Sequence, residues 1–309
     1  MNRLTSYLLI AVVAALLFVH SLGNVHLFDW DEINFAESAR EMIETNNYMQ
    51  VQINYEPFWE KPPLFFWMQV AAMKVFGVNE FAARLPNALC GIATLLILFG
   101  IGKRLHNERF AFWWVLIYAG TFLPHLYFKS GIIDPWFNLF IFLSIYFLSR
   151  FLSAKEERQK FMSHLILSAL FTGVAILTKG PVAMLVVLLS YGLFLLFNRW
   201  KGWVLIKYYL IWGLIVLLVT MIWFGLEIAQ HGWWFVNEFI TYQIRLFKTK
   251  DAGHGGFLLY HFVVLLIGCF PASLLISRYK NQLHENRHQQ YFRMFMIASL
   301  IVILVVFTI

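Results

Sequence analysis

The segment DWDEINFAESAREM (29–42) places three acids within four positions, and it follows a strongly apolar run near the N-terminus. These acids are Asp29, Asp31 and Glu32. One acid is enough to cap a helix, because acids are favoured at a helix N-terminus. A carboxylate at the mouth of a membrane span can instead act as a general base, or stabilise positive charge that develops on a sugar ring. The residues alone leave both interpretations open.

The stretch FWEKPPL (58–64) holds a second charged pair, Glu60 and Lys61, next to two prolines. Pro62 and Pro63 end any helix and fix an extended turn, so the pair is held rigidly. The simplest explanation is a surface turn. In a functional site, Lys61 would bind a phosphate and Glu60 would bind a metal or a hydroxyl.

Two further charged residues lie at the ends of apolar runs. Asp134 in KSGIIDPW starts such a run and is followed by proline, which fits a helix N-cap. Lys179 in TKGP ends another run, where its side chain could extend to the membrane surface or bind phosphate.

A basic segment with Arg245 and Lys248 precedes DAGHGG (251–256), in which three glycines surround His254. The glycines suggest that the backbone closely approaches another group. Four basic side chains could together surround an anion such as a polyprenyl phosphate: Lys61, Lys179, Arg245 and Lys248.

The composition is that of a polytopic membrane protein, and helical spans must position these residues. The chain is 60% hydrophobic and 13% charged, with a mean hydropathy of +0.67. A span needs about 20 apolar residues. This predicts about nine transmembrane helices near 4–22, 87–102, 110–128, 134–152, 161–178, 181–198, 204–225, 257–277 and 294–309.

The charges between these spans predict the orientation. With a cytoplasmic N-terminus, 15 of the 24 basic residues fall on the inner side and 13 of the 17 acids fall outside. The net charge of +7 is therefore a topology signal and not a nucleic-acid footprint. Because the span interiors carry almost no charge, an enzyme at the outer membrane surface is favoured over a carrier, which would need charges at mid-depth.

We predict one transmembrane domain over 1–309, with long periplasmic loops at 23–86 and 226–256. Within the first loop, apolar residues at helical spacing predict interfacial helices at 31–44 and 64–78. The last apolar run has no flanking charge, so we expect that natural versions of the chain continue beyond residue 309.

The ordered set DWDEINFAESAREM, EKPPLFFW, FAARLPNALCG, GIIDPW, LTKGP and the His-Gly-Gly loop resembles the ArnT-like lipid-linked sugar transferases. That group belongs to the membrane glycosyltransferases of the GT-C fold, which include protein O-mannosyltransferases. The resemblance covers essentially the whole chain. It implies an all-α polytopic enzyme of the bacterial inner membrane with a periplasmic active site.

The resemblance also implies a reaction. A sugar on polyprenyl (undecaprenyl) phosphate moves with inversion to a glycolipid such as lipid A, or to a protein hydroxyl. By position, Asp31 would be the catalytic carboxylate with Glu32 beside it, and Asp134 would be the second essential carboxylate. Lys61 and Lys179 would hold the lipid phosphate.

Glu60 and His254 resemble a pair that can take a divalent metal, Zn²⁺ or Mg²⁺/Mn²⁺, which the reaction does not require. Two ligands are few for zinc.

The sequence departs from the family pattern at Asn34, where an arginine is common, and within residues 1–309 we expect no counterpart of the C-terminal soluble domain typical of the family. Both departures bear on donor and acceptor selection. Two alternatives stay open: a carrier of lipid-linked sugars, and a non-catalytic subunit of a membrane assembly.

Overall fold

The computed structural model of the chain describes residues 2–58, 60–248, 260–278 and 286–308. Within these residues the chain is helical apart from loops and one two-stranded hairpin. It divides into two compact units. Unit 1 comprises Met1–Pro57, Phe65–Leu139 and Val263–Asn281, and unit 2 comprises Phe58–Leu64, Phe140–Phe262 and Gln282–Ile309.

Unit 1 is built around one long helix, α4. Its helices are α1 (Arg3–Phe18), α2 (Trp30–Thr45), α3 (Leu64–Phe76, whose first residue is assigned to unit 2), α4 (Glu80–Leu105), α5 (Glu108–Ala119), α6 (Phe122–Phe128), the start of α7 (Asp134–Glu156), the end of α12 (Tyr260–Gly268) and a 3₁₀ helix (Ala272–Arg278). Helix α4 begins where the Asn79 side chain accepts a hydrogen bond from the N–H of Ala82 at 2.8 Å.

Close packing in unit 1 requires a glycine on α4. A Cβ added at Gly91 would lie 2.8 Å from ring atoms of Phe18 and Phe128. These two rings meet edge to face, with centroids 5.1 Å apart. Helices α1, α4 and α6 therefore meet closely at this point.

Helices α2 and α3 form where the sequence predicted helices at 31–44 and 64–78, and their interfacial position stays a prediction. Phe35 of α2 packs edge to face against Phe65 and Phe66 of α3, and all three rings are fully buried. A hairpin of β1 (Gln52–Ile53) and β2 (Glu56–Pro57) joins the two helices and pairs in antiparallel register.

The predicted span at 110–128 is bent. Helices α5 and α6 meet at an angle of 72° around Gly120 and Thr121. The Thr121 hydroxyl donates to the carbonyl of Ile117 at 2.7 Å, and the N–H of Phe122 donates to the carbonyl of Phe270 at 3.2 Å. These bonds replace the helical bonds that a straight span would make.

Unit 2 contains the rest of α7 and α12, together with α8 (Met162–Lys179), α9 (Val182–Phe197), α10 (Ile206–His231), α11 (Trp234–Lys248) and α13 (Arg287–Thr308). Helix α8 packs closely on α10, because a Cβ added at Gly173 would lie only 2.7 Å from Cβ of Val219. Helices α9 and α13 meet through the stacked rings of Phe194 and Phe295, 4.3 Å apart.

Within the described residues, five helices are long and apolar enough to cross a membrane, or six if the bent α5–α6 pair counts as one span. The predicted number of about nine is therefore not confirmed. The helices at 4–18 and 182–197 are shorter than a full span, and α12 is only nine residues long. The predicted loop at 226–256 is also partly helical, because α10 continues to His231 and α11 follows.

Candidate active site

Glu32 and Arg84 form a fully buried ion pair in unit 1. Glu32 is 0% exposed and Arg84 is 2% exposed. Nε of Arg84 donates to Oε1 of Glu32 at 2.7 Å, and Nη2 donates to Oε2 at 2.9 Å. This bidentate geometry is the strongest that a guanidinium and a carboxylate can adopt.

The remaining donors of Arg84 bind the loop before α2. Nη1 donates to the carbonyls of Leu22 at 3.1 Å and Val25 at 2.6 Å, and Nη2 also donates to His26 at 3.0 Å. A guanidinium has five N–H groups, and these five bonds use all of them. Arg84 therefore fixes both the acid on α2 and the chain that leads into α2.

The carboxylate of Glu32 is equally saturated. Oε1 accepts from the N–H of Gly131 at 2.6 Å, and Oε2 accepts from the N–H of Phe28 at 3.2 Å. With the two bonds from Arg84, this uses the four acceptor positions of a carboxylate. A Cβ at Gly131 would lie 3.2 Å from Cγ of Glu32, a tight contact that glycine avoids. We call Glu32, Arg84 and Gly131 the buried clamp.

Asp31 lies next to the clamp, in the first turn of α2. Its backbone N–H is capped by Oδ1 of Asp29 at 2.9 Å, so Asp29 is the helix N-cap. Asp31 is half-buried whereas Asp29 is exposed. The capping function is thus filled by Asp29, and capping does not account for Asp31.

Asp134 is the first residue of α7 and is half-buried. The loop before it is held from two sides. Oε1 of Glu32 binds Gly131, and the amide of Asn87 donates to the carbonyls of Ser130 at 2.7 Å and Ile132 at 2.5 Å. The buried clamp therefore fixes the starts of both helices that carry Asp31 and Asp134.

The outward surface of α2 carries a charge network. Arg40 binds Glu37 at 2.9 Å and 2.5 Å and also pairs with Glu44, which accepts from the Tyr55 hydroxyl at 2.7 Å. The hydrogen bonds from Arg40 lower the pKa of Glu37. The hydrogen bond from Tyr55, assisted by Arg40, lowers the pKa of Glu44. This network links α2 to the hairpin.

The predicted phosphate ligands belong to unit 2. Lys61 and Glu60 are half-buried and precede the two buried prolines that come directly before α3. Lys179 is the half-buried last residue of α8, which Gly180 ends with a φ of +99°. Arg245 is exposed on α11.

Two predicted site residues cannot be placed. Lys248 ends α11, but its side chain is outside the described part of the chain, and His254 lies wholly outside it. Among the described residues, no three His, Cys, Asp or Glu side chains are gathered as a metal ion would need. The divalent metal at Glu60 and His254 stays a prediction.

A family model described as dolichyl-phosphate-mannose-protein mannosyltransferase matches residues 60–224, more than half of the chain. The chain belongs to this family.

Curated relatives extend the likeness over most of the chain. An undecaprenyl phosphate-alpha-4-amino-4-deoxy-L-arabinose arabinosyl transferase from Shewanella sediminis is 25% identical over 87% of this chain and 49% of its own length. The corresponding enzyme from Pseudomonas paraeruginosa is 27% identical over 94% of this chain and 52% of its own. The chain thus spans about half the length of the curated relatives that it matches.

The fold agrees with a solved member of this group. A crystal structure of ArnT from Cupriavidus metallidurans bound to undecaprenyl phosphate superposes with a TM-score of 0.78 at 21% identity, over 96% of this chain and 55% of that one. The predicted family and the all-α GT-C membrane fold are confirmed, and the chain is a multi-pass membrane protein.

The sequence interpretation missed Arg84 and Asn87, which hold the site without being acids or phosphate ligands. A signal for Arg84 was present in FAARLPNALCG, because an arginine within an apolar helix requires a buried partner. Which partner it finds depends on a contact 52 residues away.

Proposed function

We propose that this chain forms the membrane part of an inverting glycosyltransferase. It would move a sugar from a polyprenyl (undecaprenyl) phosphate donor to a lipid A-like glycolipid or a protein at the outer face of the bacterial inner membrane. The proposed topology has a cytoplasmic N-terminus and a periplasmic site, supported by the distribution of basic residues between the helices.

The observation that carries this proposal is the arrangement around the buried clamp. A general base must be held in position and lie within hydrogen-bond reach of the proton that it takes up. Glu32 is saturated and buried, and two half-buried acids lie close to its partners in sequence: Asp31, directly before Glu32, and Asp134, three residues after Gly131. Helix N-termini also stabilise negative charge.

The chemistry follows from these roles. The acceptor hydroxyl attacks the anomeric carbon on the face opposite the phosphate, the bond from that carbon to the phosphate oxygen breaks, and polyprenyl phosphate leaves. We assign to Asp31 the removal of the hydroxyl proton, and to Asp134 the orientation of the acceptor or stabilisation of the charge on the sugar. Glu32 is a positioning residue for both.

The leaving phosphate needs positive partners. We propose Lys61 and Lys179 for this role, with Arg245 and Lys248 as further ligands. Because the donor already carries an activated leaving group, catalysis depends on holding the phosphate and aligning the acceptor.

The test uses the natural full-length protein in nanodiscs, with polyprenyl-phosphate sugars as donors and a membrane extract as acceptor source. Release of free polyprenyl phosphate is measured for the wild type and for Asp31→Asn. We expect Asp31→Asn to lower the release rate by at least about a hundredfold, because the amide cannot take up the proton.

Asp29→Asn is the matched control, since it makes the same change two residues away and asparagine still caps a helix. It should retain near wild-type release. Equal rates in Asp31→Asn and the wild type would remove Asp31 from the mechanism. No release from any donor in nanodiscs, together with movement of donor across the bilayer of sealed liposomes that contain the protein, would favour the carrier instead.

A further inference from the structure

Helix α10 buries an acid near its C-terminal end. Glu227 is 1% exposed, and its Oε2 lies 2.9 Å from Nδ1 of His231, one turn later. Its other oxygen, Oε1, is buried and has no hydrogen-bond partner among the described residues. A carboxylate that is buried with a single hydrogen bond costs free energy. An acid in an apolar helix therefore points to a function.

The pair leaves one nitrogen of His231 available. An ionised carboxylate only accepts hydrogen bonds, so Nδ1 carries a hydrogen and Glu227 fixes the orientation of the imidazole. The His231 side chain is 35% exposed, and its Nε2 makes no hydrogen bond within the described part of the chain. A histidine at a helix C-terminus is favourable by itself, because it interacts with the helix dipole. That role does not require a buried acid beside it.

Helices α8 and α10 run side by side in the same direction. Two contacts set their register. The indole N–H of Trp212 on α10 donates to the Ser168 hydroxyl on α8 at 3.3 Å, and a Cβ added at Gly173 of α8 would lie 2.7 Å from Cβ of Val219 on α10. The contacts advance along both helices together, so the C-terminal ends of both helices lie at the same end of unit 2.

This register places Glu227 close to the height of Lys179, the last residue of α8. From the contact of Gly173 with Val219, α8 rises about 9 Å to Lys179, and α10 rises about 12 Å to Glu227. At about 100° per residue, both positions lie on the same side of the helix pair. The axes of packed helices are about 8–10 Å apart. The buried pair and the proposed phosphate ligand Lys179 therefore border one region of unit 2.

We propose that Glu227 and His231 form a further arm of the donor phosphate site at Lys179. Nε2 of the protonated imidazole donates to a phosphate oxygen, and Glu227 is the positioning residue that orients the imidazole and stabilises its charge. The bond to Glu227 holds the imidazole toward the height of Lys179, so that one phosphate lies between the two side chains. This inference rests on the proposed function, which supplies a lipid-linked phosphate.

The neighbouring helix adds no partner to His231. Helix α11 packs on α10 through Phe239, whose ring centroid lies 5.4 Å from that of Phe224. Its charged residues with described side chains, Glu238 and Arg245, are exposed. Within the described residues, no hydrogen bond or ion pair joins either of them to His231. The charge that acts on the imidazole most directly is therefore that of Glu227.

The test measures binding and does not depend on turnover. Radiolabelled undecaprenyl phosphate binds the natural full-length protein in detergent micelles at pH 6 and at pH 8.5, and scintillation proximity gives the Kd. Imidazole side chains lose their charge between about pH 5 and 8. We expect His231→Gln to weaken binding about tenfold at pH 6 and less than about twofold at pH 8.5, because only the protonated imidazole supplies a charge-assisted bond. Each variant is compared with the wild type at the same pH, so the ionisation of the probe itself cancels.

Three further variants complete the design. His231→Arg supplies a charge that does not titrate, so its binding at pH 8.5 should be at least as tight as that of the wild type. Glu227→Gln removes the charge that stabilises the imidazolium and should reproduce most of the loss at pH 6. His20→Gln makes the same change at an exposed histidine of unit 1 and should leave binding unchanged. Gel filtration and the unfolding midpoint confirm that each variant is folded.

Lys179→Gln separates this inference from the proposed function, and it should weaken binding at both pH values. If Lys179→Gln weakens binding and His231→Gln does not, the additional arm is refuted and the donor site stands. A loss in His231→Gln that is equal at both pH values, or that His231→Arg does not restore, would show that His231 only caps α10. If neither Lys179→Gln nor His231→Gln changes binding, the phosphate is held elsewhere and both assignments fail.

Discussion

The buried clamp predicts a large and specific loss of stability when Arg84 is replaced by methionine. Methionine fills similar volume but removes all five donors. The Glu32 carboxylate, 0% exposed, then keeps only the N–H groups of Gly131 and Phe28. Removing one partner of a buried ion pair costs about 3–5 kcal/mol. Total stabilities are about 5–15 kcal/mol, so the variant should be close to unfolding.

A double-mutant cycle separates the pair from the packing of its side chains. Glu32→Gln leaves Arg84 with a buried, unmatched charge and should also be destabilising. The double variant carries no buried charge, so it should cost less than the sum of the single changes by about 2–3 kcal/mol. The assay is unfolding in mixed detergent micelles, followed by tryptophan fluorescence. Arg40→Met is the matched control, because its ion pairs are partly exposed and contribute far less than a buried pair.

The reasoning fails if Arg84→Met costs no more than Arg40→Met. It also fails if the two single changes at the clamp are additive, since additivity would mean that Glu32 and Arg84 do not act on each other.

Two further predictions concern packing and pH. Gly173→Ala should destabilise unit 2 by about 1–3 kcal/mol, because the added methyl group would collide with Val219. In the control variant Gly192→Ala, the added methyl group meets nothing within 4 Å and should not destabilise the protein. The unfolding midpoints of both variants test this prediction, and equal midpoints would contradict it. The pKa of Glu37 is lowered in the folded state, so its bond to Arg40 stabilises the fold above the unfolded pKa of about 4.3 and loses this effect as pH falls through the folded pKa. The stability difference between the wild type and Arg40→Gln should therefore shrink on acidification from pH 6 to pH 3, and a constant difference would refute the assignment.

Local signals in the sequence were sufficient to predict the helices that carry the site. Apolar residues at helical spacing and the Pro62–Pro63 break predict α2 and α3, and both helices form. The acids at the starts of α2 and α7 were also predictable, because capping preferences depend on residues adjacent in the chain.

Contacts between distant parts of the chain were not predictable in this way. The bend at Thr121 depends in part on the carbonyl of Phe270, nearly 150 residues later. The expected straight span at 110–128 follows from hydropathy alone, which contains no information about such a partner. The same applies to Glu32, whose role was predicted from its neighbour Asp31 and whose structural environment is set by Arg84.

The sequence therefore predicted which types of residue form the candidate site, and it predicted the roles of those residues only in part. Asp29 caps the helix, Glu32 is buried and saturated by its partners, and Asp31 is the half-buried acid between these two in sequence. Only the structure distinguishes these three neighbouring acids, because the distinction depends on burial and on distant donors.

The clamp also constrains the order in which the protein can assemble. The Glu32 carboxylate accepts hydrogen bonds from Arg84 and Gly131, which lie 52 and 99 residues further along the chain. Arg84 cannot be buried at low cost before Glu32 reaches it, and the last donor is made only after residue 131 has been synthesised. We therefore expect three steps to be coupled in one cooperative event: membrane insertion of α4, docking of the first loop and placement of the start of α7. A chain that stops between residues 84 and 131 would hold the ion pair without the backbone bond that completes it.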